Sequence, residues 1–130
     1  MKKDAIWLDR ILFENPCFVG LCITEKQFKN TLKRMTVPEN KWPDFPTKGA
    51  TVHYFEKEGL KTRIVCKISE QNKHSKTSTM ALLVHEAVHI WREVKKQIGE
   101  EHASSEFEAY GIQNISQSLF EAYNKLTGGK

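Results

Sequence analysis

The sequence predicts an α+β fold, on three observations. Residues 51–56 and 61–68 are rich in Val, Ile, Thr, Tyr and Phe and flank Glu58-Gly59, the signature of a β-hairpin. Residues 80–94, MALLVHEAVHIWREV, contain no Pro or Gly and carry apolar side chains at helical spacing. A second long amphipathic stretch, residues 106–126, follows after a short acidic turn.

The elements follow in order. Residues 4–14 predict a helix burying Ile6, Leu8, Ile11, Leu12 and Phe13, ended by Asn15-Pro16 because the residue before proline disfavours helical ψ. Residues 17–23, CFVGLCI, are an apolar connector or a strand. Thr24 is an N-cap with Gln27 as its capping-box partner, opening a helix over 25–35 that buries Phe28, Leu32 and Met35. Pro38, Pro43 and Pro46 make residues 37–49 a loop, pinned by Trp42 and Phe45 and placed to wall a cleft. In the hairpin, Val52, Tyr54 and Glu56 alternate with His53 and Phe55, and Ile64, Cys66 and Ile68 with Val65 and Lys67. Thr77, Ser78 or Thr79 caps the central helix, which runs to about Ile98 and stops at Gly99. Ser105 with Glu108 forms a second capping box, and the last helix buries residues among Phe107, Ile112, Ile115, Leu119, Phe120 and Tyr123.

Composition narrows the class. At 130 residues the chain fits one domain, residues 1–130, and 39% hydrophobic with 28% charged residues is ordinary for a soluble globular protein. No apolar run reaches the roughly 18 residues of a membrane span. Asp4, Asp9 and Arg10 interrupt what a signal peptide needs unbroken. Three cysteines, an odd count without a C-x-x-C pair, argue against a disulfide framework and a zinc ribbon and for free thiols in the cytoplasm. The net charge of +4 and pI near 9.0 come from cations scattered among acids, so nucleic-acid binding is not indicated. Lys26, Lys29, Lys33 and Arg34 are the solvated side of a helix.

The chemistry lies in His85-Glu86-Ala87-Val88-His89. Residues four apart share a helix face, so both imidazoles point to one place, where a divalent metal, most often zinc, is usually held. Leu83, Ala87, Trp91, Val94 and Ile98 form the opposite, apolar face, and Glu86 stands beside the histidines, in reach of a metal-bound water. A catalytic zinc usually takes a third protein ligand. Lys95 replaces the last histidine of the H-E-x-x-H-x-x-G-x-x-H pattern, leaving His102, Glu106 and Glu108. Glu106 is preferred, because Glu108 has a capping role and the small Ala109 lets the two helices approach.

H-E-A-V-H followed on the next helix by E-F-E-A-Y resembles the gluzincin arrangement, where a later E-x-x-A supplies the third ligand. The small size is similar to minigluzincins, and residues 82–119 also resemble zincin-like proteins encoded by bacteriophages. Gluzincins often carry Asp or Asn after the alanine, where this chain has Tyr110. The resemblance implies a zincin-like domain: a short twisted antiparallel sheet packed on an active-site helix, then a glutamate helix. It implies Zn2+ held by His85, His89 and Glu106, and Glu86 as general base in peptide-bond hydrolysis. Tyr110, Tyr54 and His53 are candidate oxyanion donors, with Tyr110 carried as catalytic. A protein or peptide substrate would pair with the hairpin's exposed edge. Two other readings stand beside this one: a non-catalytic, zinc-stabilised module that binds a host protein, and a DNA-associated zincin using His102. The second is weakened by the missing zinc ribbon and dense basic patch. No membrane partner is expected.

Overall fold

The computed structural model describes residues 3–8, 16–45, 49–57, 59–69 and 75–128. Among them the fold is α+β, with three helices and a four-stranded mixed sheet. The strands are β1 (Ile6–Trp7), β2 (Cys17–Cys22), β3 (Ala50–Phe55) and β4 (Thr62–Ile68), in the order β1-β2-β4-β3. The helices are α1 (Glu25–Arg34), α2 (Lys76–Gln97) and α3 (Ser105–Leu126), with a 3-10 turn at Glu39–Lys41.

β4 is central and buried along nearly its whole length, as a near-continuous apolar run demands when both sheet faces are covered. Alternation divides the core. Cys17, Val19 and Leu21 of β2 join Ile64, Cys66 and Ile68 of β4 under α2 and α3. On the other face, Cys22 and Val65 pack with Phe28 and Leu32 of α1 and with its C-cap, Met35. Lys67 lies on that second face, fully buried, donating from Nζ to the Asp44 carbonyl at 2.6 Å and sitting 4.4 Å from the Phe28 ring centre. This ammonium clips the 36–45 loop to the sheet. Trp42 and Phe45 pack beside it, and Trp42 Nε1 donates to the Val37 carbonyl.

The hairpin is present, with Tyr54 opposite Ile64 and Val52 opposite Cys66. The sheet is not antiparallel throughout, however. β2 runs parallel to β4, because α1 and β3 lie between them in the chain and carry it back to the same end. The apolar stretch over 17–23 is thus a strand. The helix expected over 4–14 is absent at its start. Ile6 pairs antiparallel with Leu21 and Trp7 with Gly20, Leu8 donates to the Val19 carbonyl, and residues 9–14 lie outside the described residues. Ile6 and Leu8 share one face of a strand, whereas on a helix they would stand about 200° apart, and pairing with the edge of β2 decides for the strand.

Local signals set the helix ends. Thr24 and Gln27 form the expected capping box. Gly99, at φ 75°, closes α2 as expected, with Glu100 N–H reaching the Lys95 carbonyl. The N-caps lie earlier than expected: Ser75 caps α2, two to four residues before the three candidates, and Ser104 caps α3, one residue early, by accepting from Phe107 N–H. Glu108 is therefore not a capping-box partner. α2 and α3 form a hairpin whose close approach rests on Gly111, since a Cβ there would lie 2.4 Å from the ring of buried Trp91. No helix among the described residues is long and apolar enough to cross a membrane.

Two predictions follow from this packing. Gly111→Ala gains helix propensity but drives a methyl into an immobile indole. We expect a net loss of about 2 kcal/mol, read as a lower urea midpoint at unchanged m-value; an unchanged midpoint would show that the helices separate freely. The second concerns alkali. Burial pushes the Cys17 thiol up to about 11 and the Cys22 thiol to about 12, from an ordinary 9.0, and raises Cys66 as well. The folded chain keeps protons that the unfolded chain releases, so stability falls as pH rises from 9 through 11. Burial lowers Lys67 from 10.5 to about 8, which acts oppositely between those values, but one amine opposes three thiols. The urea midpoint should therefore drop above pH 9, and a rise through that range would contradict it.

Candidate metal centre

α2 lies across the sheet with Leu83, Ala87, Ile90, Trp91 and Val94 buried against it. That stripe fixes the helix's rotation, and at roughly 100° per residue it leaves His85 and His89 facing solvent. Their Nε2 atoms stand 3.3 Å apart, with the rings edge to face at 5.0 Å. Two nitrogens each bound about 2.0–2.1 Å from a tetrahedral zinc stand about 3.3–3.4 Å apart. The pair thus already has the separation of two ligands on one tetrahedral ion.

Glu86 does not share their exposure. It is 4% exposed, turned toward the sheet side of α2. Burial raises its carboxyl above the usual range, and the adjacent His85 and His89 oppose the rise. A desolvated carboxylate is a stronger base than one in water. Tyr54 of β3 joins the same region from the sheet. Its hydroxyl donates to the His89 carbonyl at 3.2 Å, tying the edge strand to the histidine turn, and burial raises its phenol, with Glu93 and Glu86 adding to the shift.

The other expected site residues are distributed as follows. His53 lies on the opposite sheet face, as its position next to Tyr54 requires, near Phe55 and Lys67. It is too misdirected to serve as an oxyanion donor beside His89. Glu106 stands in the first turn of α3, exposed, with the half-exposed Tyr110 one turn on. His102 is exposed in the turn between α2 and α3. Glu108 is committed: its Oε2 accepts from Lys95 Nζ at 2.8 Å and from Trp91 Nε1 at 3.2 Å, and the Lys95 hydrogen bond holds its carboxyl below the usual range. Among the described residues, no third His, Cys, Asp or Glu joins the histidine pair in a group that could hold a metal.

Sequence reasoning missed two features of this region. The Lys95–Glu108 pair follows from Lys95 lying one turn beyond Trp91 on the face toward α3, and both residues were visible at positions considered for zinc ligation. The Tyr54–His89 bond joins a strand to a helix across 35 residues, and no local pattern encodes it. No protein-family model, curated protein or solved structure matches this chain.

The histidine separation makes a direct prediction. Zn2+ at a hundredfold excess over its Kd should stabilise the protein by about 2.7 kcal/mol, read as a rise in thermal midpoint that EDTA reverses and His85→Ala abolishes. An unmoved midpoint in the wild-type protein would show that the two imidazoles only hydrogen-bond to each other.

Proposed function

We propose that the protein is a small zinc-dependent peptidase with a zincin-like fold. The observation that carries the reading is the 3.3 Å convergence of the His85 and His89 nitrogens on the outward side of α2, with Glu86 buried beside them. The donor types suit zinc: two imidazoles, with carboxylates on the neighbouring helix. His85 and His89 would hold the ion, and Glu106 would be the third ligand, since Lys95 and Trp91 already occupy Glu108. Bound zinc supplies a Lewis acid and a water of lowered pKa.

The chain's own groups supply the rest. Glu86 takes the proton from the attacking water and returns it to the leaving amine, which a desolvated carboxylate next to two imidazoles is suited to do. β3 lies at the sheet edge, and Tyr54 ties it to the His89 turn, so an extended peptide adding to that strand would run past the histidines. Tyr110 shares the exposed side of α3 with Glu106 and is the donor we assign to the developing oxyanion. Three buried free thiols fit a reducing cytoplasm, that of the host if the chain is phage-encoded.

The exposure of Glu106 and its separation from the histidine pair favour a second reading: a zinc-stabilised module that binds a host protein without cleaving it. Glu86→Gln separates the two. The zinc-loaded variant should keep its metal and thermal midpoint while cleavage of a quenched fluorescent peptide library falls about 100-fold or more. Partner binding that survives Glu86→Gln, in a wild-type protein that cleaves nothing, would establish the binding module. Glu106→Gln should weaken zinc at least tenfold, the scale of loss for disturbing a ligand shell, and Glu108→Gln should leave zinc affinity unchanged.

A further inference from the structure

β3 is the outer strand of the sheet. It pairs with β4 on one side, and its other edge is unpaired among the described residues. A hollow of about 470 Å3 lies at the end of that strand. Residues 53–57 line it without a gap, so side chains of both strand faces, and the backbone edge between them, border the space. The opposite wall is the 35–43 segment, between the end of α1 and the stretch clipped by Lys67. Hydrogen bonds hold this wall in shape. Thr36 N–H reaches the Lys33 carbonyl and Val37 N–H the Leu32 carbonyl, the closure of a Schellman turn, with Thr36 at φ 57° where glycine is usual. Trp42 Nε1 donates to the Val37 carbonyl.

Charge distinguishes the hollow. Lys41 stands on the wall, Lys57 just beyond the strand, and Arg63 on β4 opposite Phe55. Lys41 and Lys57 are exposed, and neither is held in an ion pair among the described residues. Burial and the Lys67 ammonium lower the pKa of His53, which therefore adds no charge at neutral pH. Glu56 is the one acid in the lining. By alternation it shares a side with Tyr54, toward the helices, where it helps to raise the Cys17 thiol. Three cations from three segments thus border the space, and the single acid leans away from it.

We propose that this hollow is a subsite for an acidic side chain of a peptide docked along β3, with Lys41 and Lys57 as the residues that select it. It rests on the reading above in one respect: an extended peptide adds to β3. Such a peptide would pass both the Tyr54–His89 tie and the hollow, because one five-residue stretch borders both. Side chains of an added strand alternate between the two faces. Those on the helix side turn toward the histidines, and those between them turn toward the α1 side, where the wall meets them. At about 3.3 Å per residue, Lys57 lies roughly 10 Å beyond Tyr54, which puts the selected side chain two to four residues from the one beside His89. A carboxylate accepts charge-assisted hydrogen bonds from both ammonium groups. An apolar side chain would desolvate the cations without compensation, and a basic one would meet like charge.

The test uses the full-length, zinc-loaded protein and peptides in which one Glu, Gln or Lys is moved along an otherwise neutral sequence. Cleavage gives kcat/KM, and fluorescence anisotropy with the Glu86→Gln variant gives binding. We expect Glu to be preferred over Gln by about fivefold or more, the scale of one or two partly exposed ion pairs, at a single place two to four residues from the cleaved bond. Lys41→Gln combined with Lys57→Gln should erase that ratio at an unchanged thermal midpoint. Lys57→Arg should keep it, and Lys41→Glu with Lys57→Glu should turn the preference to Lys. A protein that binds with this preference but cleaves nothing loses the peptidase reading and keeps the subsite. One that cleaves without acidic preference, or with a preference indifferent to the double substitution, keeps the peptidase reading and overturns the subsite. Equal gain from Glu at every position also overturns it, since net charge would then suffice. So does displacement of the peptide by an equal concentration of inorganic phosphate, which would make the hollow a small-anion site. Neither binding nor cleavage overturns both.

Discussion

Trp91 sets the spacing on which the rest of the helical layer depends. It is the largest side chain wholly inside the protein, and three contacts from α3 close around it. Gly111 lets the indole reach the helix backbone, Phe107 meets it edge-on at 5.5 Å, and Glu108 accepts its N–H. Each contact comes from the first two turns of α3, so the indole fixes how far away α3 lies and at which level it begins. That level decides where Glu106 and Tyr110 stand relative to the histidine turn, only one helical turn before Trp91 in α2.

The same constraint explains the fate of the two glutamates near the start of α3. They lie two residues apart, about 200° around the helix. One must face α2 and the other must not. Glu108 faces it, where it is shared by Trp91 and Lys95, while Glu106 points to solvent with Tyr110. Lys95 therefore does more than break a third-histidine pattern. It holds the inward glutamate in a structural role, while the outward one stays exposed.

Much of this was legible in the sequence, because the signals were local. The capping box at Thr24, the hairpin over 51–68, the uninterrupted helix around the two histidines and the stop at Gly99 each depend on residues within a few positions of one another. What was not legible was non-local. The first segment looked helical because Leu8, Ile11 and Leu12 stand at helical spacing, and only the pairing edge of β2 draws its start into a strand. The parallel pairing of β2 with β4 joins stretches more than 40 residues apart, which no turn signal can encode. At the site, the motif gave the histidine geometry, but the burial of Glu86 depends on how α2 rolls against the sheet. The misplacement of His53 was readable in principle: neighbours on a strand face opposite ways, so Tyr54 and His53 could not both serve one site.

That alternation has a consequence for how the protein can change. Along β3 and β4, even and odd positions meet different layers: Val52, Ile64 and Cys66 pack in the core under α2 and α3, while Phe55 and Val65 pack with α1 on the opposite face. Substitutions can remodel one face while leaving the other intact, as though two proteins shared a single sheet. A one-residue insertion or deletion within either strand has no such privacy, since it exchanges the two sets of side chains at once. Variation in these strands should accordingly be tolerated as replacement and rejected as a change in length.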